Sequence, residues 1–162
     1  RGSTTNGADG PVADDGVSIG CPDLAADDGI DGGTPEAIKA SIPNGRMAAM
    51  PPWGDIIGED GVRDVTAHIL SLNGREADPA KATAGAKVYG QFCIACHGAD
   101  GTGNTMLGAP NLINGVWLYG GQPEQISHSI RAGRSGEMPA NKALIGEDKI
   151  HLISAYVYGM SK

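Results

Sequence analysis

Residues 32–73 of this chain recur, without a gap, 88 positions later. Gly32-Gly33-Thr34-Pro35-Glu36-Ala37-Ile38 returns as Gly120-Gly121-Gln122-Pro123-Glu124-Gln125-Ile126, and Gly45-Arg46 returns as Gly133-Arg134. Met50-Pro51 becomes Met138-Pro139, and Ile57-Gly58-Glu59-Asp60 becomes Ile145-Gly146-Glu147-Asp148. Sixteen of the 42 positions from Gly32 to Asn73 are identical, too many for chance. A fold open to one copy must be open to the other, so the sequence predicts two tandem domains, 1–77 and 78–162. Asn73-Gly74 and Asp78-Pro79 interrupt the helical pattern at that boundary.

Each copy reads as helices joined by long loops. Asp78-Pro79 predicts an N-cap with proline at the first helical position. The following helix runs toward Phe92, with Ala84, Val88 and Phe92 on one stripe and Gly85 and Tyr89 beside it. Pro123 starts a second helix that points Ile126 and Ile130 inward and stops at Gly133. A last helix begins near Glu147-Asp148, whose carboxylates suit the positive end of a helix dipole. Its inward stripe is Ile150, Ile153 and Val157, matched in the first copy by Val62, Val65 and Ile69. No alternating strand is evident, and the expected class is all-α.

Aromatic residues are 4% of the chain, with a single Phe, so the core is thin and a bulky buried cofactor would help to fill it. The 26 glycines suit turns and long loops. A net charge of −7, with no Lys/Arg stripe, excludes a nucleic-acid partner. That charge serves solubility first and steering toward a basic partner second. No apolar run reaches the ~18 residues of a membrane span, and no signal peptide is visible. The opening at Arg1, in a Gly/Asp-rich stretch without an initiator Met, leads us to expect a processed or truncated chain.

Cys93-Ile94-Ala95-Cys96-His97 is the C-x-x-C-H pattern of covalent c-type haem attachment. One turn of chain presents two thiols to the vinyl groups of one porphyrin edge, and the adjacent imidazole reaches the iron. Structural zinc needs about four ligands, and no second Cys/His pair follows at usable spacing. A thioredoxin-like pair would need a βαβ setting. For the sixth iron ligand the candidates are Met106, Met138, Met160, His128 and His151. Met138 is preferred, because Gly-Glu-Met-Pro-Ala is a non-helical loop before Pro139 and lies far enough past His97 for the chain to wrap a porphyrin. Met50 stands in the equivalent loop of copy one, where it is a possible ligand of the first domain. His128, His151 and His68 read as surface or packing residues. With His97 and Met138 both bound, iron has no open position for substrate, so the site reads as a one-electron relay and not an enzyme centre.

The series Cys-x-x-Cys-His-Gly-Ala-Asp-Gly, Gly108-Ala109-Pro110-Asn111-Leu112, Trp117-Leu118-Tyr119-Gly120-Gly121, Met138-Pro139-Ala140 and Ala155-Tyr156-Val157-Tyr158 resembles the c-type haem subunit (FixP-like, subunit III) of cbb3-type cytochrome c oxidases. This resemblance implies tandem cytochrome c domains on the periplasmic side of the bacterial inner membrane. It also implies an upstream membrane anchor, and electrons passed from a donor cytochrome c to the oxidase core subunits. It further implies that the Pro110 carbonyl receives the N–H of the axial His97, with Trp117, Tyr119 and Arg134 near the haem propionates.

The first copy departs from that pattern. Aligning Gly7-Ala8-Asp9-Gly10 with Gly98-Ala99-Asp100-Gly101 puts Gly2, Thr5 and Asn6 where Cys93, Cys96 and His97 stand. Cys21 does not replace them and is expected to be a free thiol. Either that haem site has degenerated or been removed by design, or the residues written for this stretch are uncertain and a haem is present. One haem c is therefore expected from the sequence, against two in the resembled family. The alternatives to an oxidase subunit are a free-standing periplasmic carrier similar to dihaem cytochrome c4 and, more remotely, a haem peroxidase.

Overall fold

The structure is a computed structural model and describes residues 33–160, together with Leu24. Gly2, Thr5, Asn6, Cys21 and Gly29-Ile30-Asp31 lie outside the described residues. The elements in chain order are α1 (Pro35–Asn44), β1 (Arg46–Met50), α2 (Gly54–Leu72), α3 (Pro79–Phe92), α4 (Ile94–His97), α5 (Pro123–Ala132), β2 (Arg134–Met138) and α6 (Lys142–Met160). The described residues are thus mostly helical, with one two-stranded sheet. The expectation of a purely all-α class is corrected by that sheet. Arg46–Met50 and Arg134–Met138 are only five residues each and pair with one another, so no local alternation announces them.

The helix starts have local causes. Asp78 accepts hydrogen bonds from the Ala80 and Lys81 amides at 2.9 and 3.2 Å, and Pro79 occupies the first turn of α3. Thr34 Oγ1 caps α1 by accepting from the Ala37 amide at 3.2 Å. At α5 the Gln122 amide donates to Gln125 Oε1 at 3.0 Å. In α6 Gly146 takes φ 74°, and in α2 Gly58 takes φ 69°, so each helix proper begins with the Glu-Asp pair just past its glycine.

The secondary structure repeats at the offset of the sequence: α1, β1 and α2 match α5, β2 and α6, with every boundary shifted by 88. Tertiary packing does not follow chain order. α2 packs against α3 and α5, while α1 packs against α6. The strands cross between these two groups, antiparallel, with Ala48 opposite Gly136, its own repeat equivalent. Local contacts obey the same two-fold relation. The Trp53 amide donates to the Ile130 carbonyl at 3.0 Å, and the Asn141 amide to the Ile42 carbonyl at 3.1 Å. Arg46 Nε donates to Ser41 Oγ at 2.9 Å, and Arg134 Nε to Ser129 Oγ at 3.0 Å.

The core lies on the α2–α3–α5 side. Val62, Val65, Ile69, Leu70, Tyr89, Cys93, Leu112, Ile126 and Ile130 form one buried cluster. Val62 and Val65 are fully buried, each worth roughly 1.5–3 kcal/mol in transfer free energy. The first-copy stripe Val62, Val65, Ile69 is therefore inside. Its expected counterpart is corrected: Ile150 is buried, but Ile153 is 39% exposed, because the partner that covers Val65 is α3 and α3 sits on α2.

Gly85 makes that crossing possible. A Cβ there would collide with the carbonyl of Asp64 and lie 2.9 Å from the Val65 nitrogen. We expect Gly85→Val to cost about 1–3 kcal/mol through overpacking. Gly90, on the same helix with nothing within 4 Å of its Cβ position, should instead gain about 0.5–1 kcal/mol as Ala. Urea denaturation midpoints check the pair; equal effects of the two substitutions would contradict the crossing.

Candidate functional site

The motif expected to attach haem sits where α3 ends. The Cys93 amide still donates to the Tyr89 carbonyl at 2.9 Å, and the His97 amide donates to the Cys93 carbonyl at 3.0 Å, forming the single turn α4. This turn faces Cys93 into the core and leaves Cys96 exposed, and neither is in a disulfide. Burial, with the nearby Cys96, pushes the Cys93 thiol up to about 11.

His97 is 9% exposed. Its Nδ1 lies 3.1 Å from the Pro110 carbonyl, which can only accept, so Nδ1 carries the proton and Nε2 presents its lone pair. Burial lowers the His97 pKa, opposed by the Pro110 bond, and this keeps the ring neutral and able to ligate. The loop that carries Pro110 is held by backbone. The Gly103 amide donates to the His97 carbonyl at 2.8 Å, the Leu112 amide to the Gly101 carbonyl at 2.7 Å, and Asn104 bridges Ala109. Gly103, at φ 83°, lets that strand of loop turn back against Ala109–Asn111. Asn73, the cap just past the end of α2, donates through Nδ2 to the Leu112 carbonyl, fixing the far end of the loop.

The other expected residues divide. Trp117 packs against the buried cluster and lies against Gly121. Tyr119 is covered by the Arg134 guanidinium, 4.5 Å from its ring centroid. The loop that carries them therefore meets β2 through Tyr119. Met50 packs against the buried cluster, beside Trp53, whose ring lies 5.3 Å from that of Phe92. Met138 is 40% exposed at the far end of β2, opposite Arg46. Met106 and Met160 are exposed, as is His151, and His128 is half-buried on α5. An open cavity of about 380 Å³ borders Met50, Pro51 and Arg134.

The donor set fits a thioether-tethered haem: two unpaired thiols one turn apart, and a buried imidazole with its tautomer fixed. Zinc finds no comparable site, since no group of three His, Cys, Asp or Glu is gathered among the described residues. Two contributors were missed by sequence reading. Tyr89, assigned to packing alone, donates its hydroxyl to the Gly98 carbonyl at 2.8 Å and so anchors the turn behind His97. Asn73, read only as a boundary residue, holds the loop. Nothing in the local sequence marks either.

The family model for cytochrome c oxidase, cbb3-type, subunit III matches residues 80–157. These residues form a cbb3-type subunit III cytochrome domain. Similarity extends well beyond it. The chain is 32% identical over 154 residues to the cbb3-type cytochrome c oxidase subunit CcoP of Cereibacter sphaeroides, covering 88% of this chain and 53% of that protein. It is 34% identical over 164 residues to CcoP of Rhodobacter capsulatus (90% and 55%), and 31% identical over 150 residues to FixP of Rhizobium meliloti (87% and 52%). The chain spans about half the length of the curated relatives it matches. Cytochrome c identity, and with it haem c and electron transport, belongs to this cbb3-type family. No described helix is long and apolar enough to cross a membrane.

Burial pushes the Tyr89 hydroxyl up to about 12. A folded-state pKa raised above the unfolded value near 10 leaves its stabilisation intact below about pH 10 and removes it as pH rises toward about 12. Tyr89→Phe should flatten that alkaline loss and cost about 1–3 kcal/mol at neutral pH by leaving the Gly98 carbonyl unpaired. Denaturation midpoints against pH measure both. An unchanged alkaline limb in the Phe variant would contradict the assignment.

Proposed function

We propose that this cbb3-type cytochrome chain carries one haem c at Cys93, Cys96 and His97 and relays electrons from a donor cytochrome c to the catalytic core of a terminal oxidase. The observation that carries the reading is the His97–Pro110 contact behind a C-x-x-C-H turn. It orients an unprotonated imidazole nitrogen while two free thiols stand one turn apart. When bound, haem c supplies a reversible one-electron couple. The residues hold and tune it: Cys93 and Cys96 fix its edge, His97 ligates, and Leu112, Trp117 and Phe92 exclude water. A thioether from one of the two Met-Pro segments would complete the iron's ligands, Met138 by the order of the sequence or Met50 by its packing against the buried cluster. Trp117, Tyr119 and Arg134 would lie near the haem propionates, as the family resemblance implies. The net charge of −7 suits approach to a basic donor surface.

We assign the chain to two tandem cytochrome c-like repeats, 1–77 and 78–162, on the repetition of element boundaries at offset 88, with helices of one repeat packing on those of the other. The setting is the periplasmic side of the inner membrane, within the oxidase complex, and the chain is not itself the catalytic subunit. The place in an oxidase complex rests on the names of the relatives, which are subunits of cbb3-type oxidases, and the periplasmic setting on the family resemblance.

Acid-acetone extraction of the denatured chain should leave the tetrapyrrole attached, and pyridine haemochrome assay should count one haem per chain. Cys93→Ala with Cys96→Ala should release it. A chain without bound tetrapyrrole would end this reading. Two haems per chain would place the second in the first copy. Native protein isolated without any oxidase partner would favour a free carrier of the cytochrome c4 kind.

A further inference from the structure

We propose that Asn73 is a positioning residue for the haem held at His97. From the cap just past α2 it holds the Pro110 loop in place, so that the His97 ring keeps its hydrogen bond and the reduction potential is held down. This rests on the haem reading above and goes beyond it, because it gives a residue of the first copy a part in tuning the second copy's haem.

The bonds around Pro110 are of two kinds. The first kind closes the loop on itself. The Asn104 and Ala109 amides each donate to the other's carbonyl, at 2.9 and 3.0 Å, and the Leu112 amide donates to the Gly101 carbonyl at 2.7 Å. Asn111 Oδ1 accepts from the Ile113 amide at 2.8 Å. These bonds set the loop's shape but not its stance against the helices. Asn73 supplies the second kind, donating through Nδ2 to the Leu112 carbonyl. Leu112 follows Pro110 closely and belongs to the buried cluster that contains Cys93, so a carbonyl held there leaves the Pro110 carbonyl little slack.

Its neighbours in sequence grip the same stretch. A Cβ on Gly101 would lie 3.3 Å from Leu72 Cδ1, so Leu72 seats against the backbone that receives the Leu112 amide. Gly74, at φ 66°, then turns the chain, its amide donating to the Ser71 carbonyl and the Arg75 amide to the Leu70 carbonyl, both at 3.0 Å. The turn brings the Arg75 guanidinium to the Gly121 carbonyl, just ahead of α5. The repeat does not dictate these residues, since Ser161-Lys162 stand 88 positions beyond Asn73-Gly74.

The effect on iron runs through the His97 ring. Donation from Nδ1 to the Pro110 carbonyl, at 3.1 Å, makes the imidazole a more basic ligand and so favours the ferric state. Freeing the Leu112 carbonyl lets the Pro110 carbonyl drift from Nδ1. The ring then gives less electron density, and the potential rises.

The test uses the full chain with haem attached. Asn73→Ala should raise the reduction potential with the haem still covalently bound. It should also speed solvent exchange of the His97 Nδ1 proton in the reduced protein, read by NMR, about tenfold, as the loss of one hydrogen bond allows. Asn73→Leu keeps the bulk, adds no charge and cannot donate; it should do the same, and it serves should the alanine variant fold poorly. Ile126→Val trims the same buried cluster from α5. It should lower the denaturation midpoint while leaving potential and exchange alone. Unchanged potential or unchanged exchange in the Asn73 variants, a fall in their potential, or an equal change in Ile126→Val each overturns the inference. A chain lacking covalent haem altogether defeats the functional reading instead, so the two failures are told apart.

Discussion

The crossing of α3 over α2 at Gly85 is the contact on which the arrangement depends. Two helices approach this closely only where a residue without a side chain lets one backbone rest on the other. Here Gly85 meets the Asp64–Val65 peptide. The repeat offers α3 two similar partners, α2 and α6. The link from Leu72 to Pro79 is six residues, whereas 49 residues separate the end of α3 from the start of α6. Short closure favours the neighbouring helix, and the Thr66 Oγ1–Ser127 Oγ contact at 3.0 Å then ties α5 to the same helix. Glu59 on α2 adds a bidentate pair with Arg131, at 2.8 and 2.7 Å.

Once α3 rests on α2, the rest is distributed by exclusion. The stripe that α3 covers is fully buried on α2, while Leu152, Ile153 and Tyr156 remain 68%, 39% and 71% exposed on α6. α1 takes α6, and the chain must pass between the two groups twice, once in each copy. Those passages are β1 and β2. Their pairing about Ala48 and Gly136 is what a repeat produces when equivalent segments cross in opposite directions. Gly45 and Gly133, at φ 70° and 71°, turn the chain into each strand against the carbonyls of Met138 and Met50 respectively. No side chain fits there.

What was legible in the sequence was local or self-referential. The Asp78-Pro79 cap, the span of α3, the stop at Gly133 and the C-x-x-C-H turn each follow from a few adjacent residues. The repeat boundaries followed from self-comparison. The strands were not legible because Arg-Ser-Gly-Glu-Met has little strand preference and is held by a segment 88 residues away. Ile153 was misjudged for a related reason. Its equivalence to Val65 is real in sequence, but burial belongs to the neighbour, and only one of the two positions receives α3. The Pro110 contact could be expected from family resemblance alone; nothing in the spacing of Gly103 to Pro110 says where that carbonyl points.

A repeated sequence thus yields an unequal structure, and the inequality bears on the first copy's chemistry. Taken as written, that copy has Gly2, Thr5 and Asn6 where thiols and an imidazole would stand, yet it holds a Met-Pro loop matching the second copy's. Crossing the strands carries it toward the second copy's helices, where Met50 packs against the buried cluster that includes Val62, Val65 and Leu112. A soft, adaptable side chain suits that position whether it fills space or ligates. The two copies are then one cooperative unit, since loosening α2 from α3 disturbs the core behind His97 and the methionine loop at once.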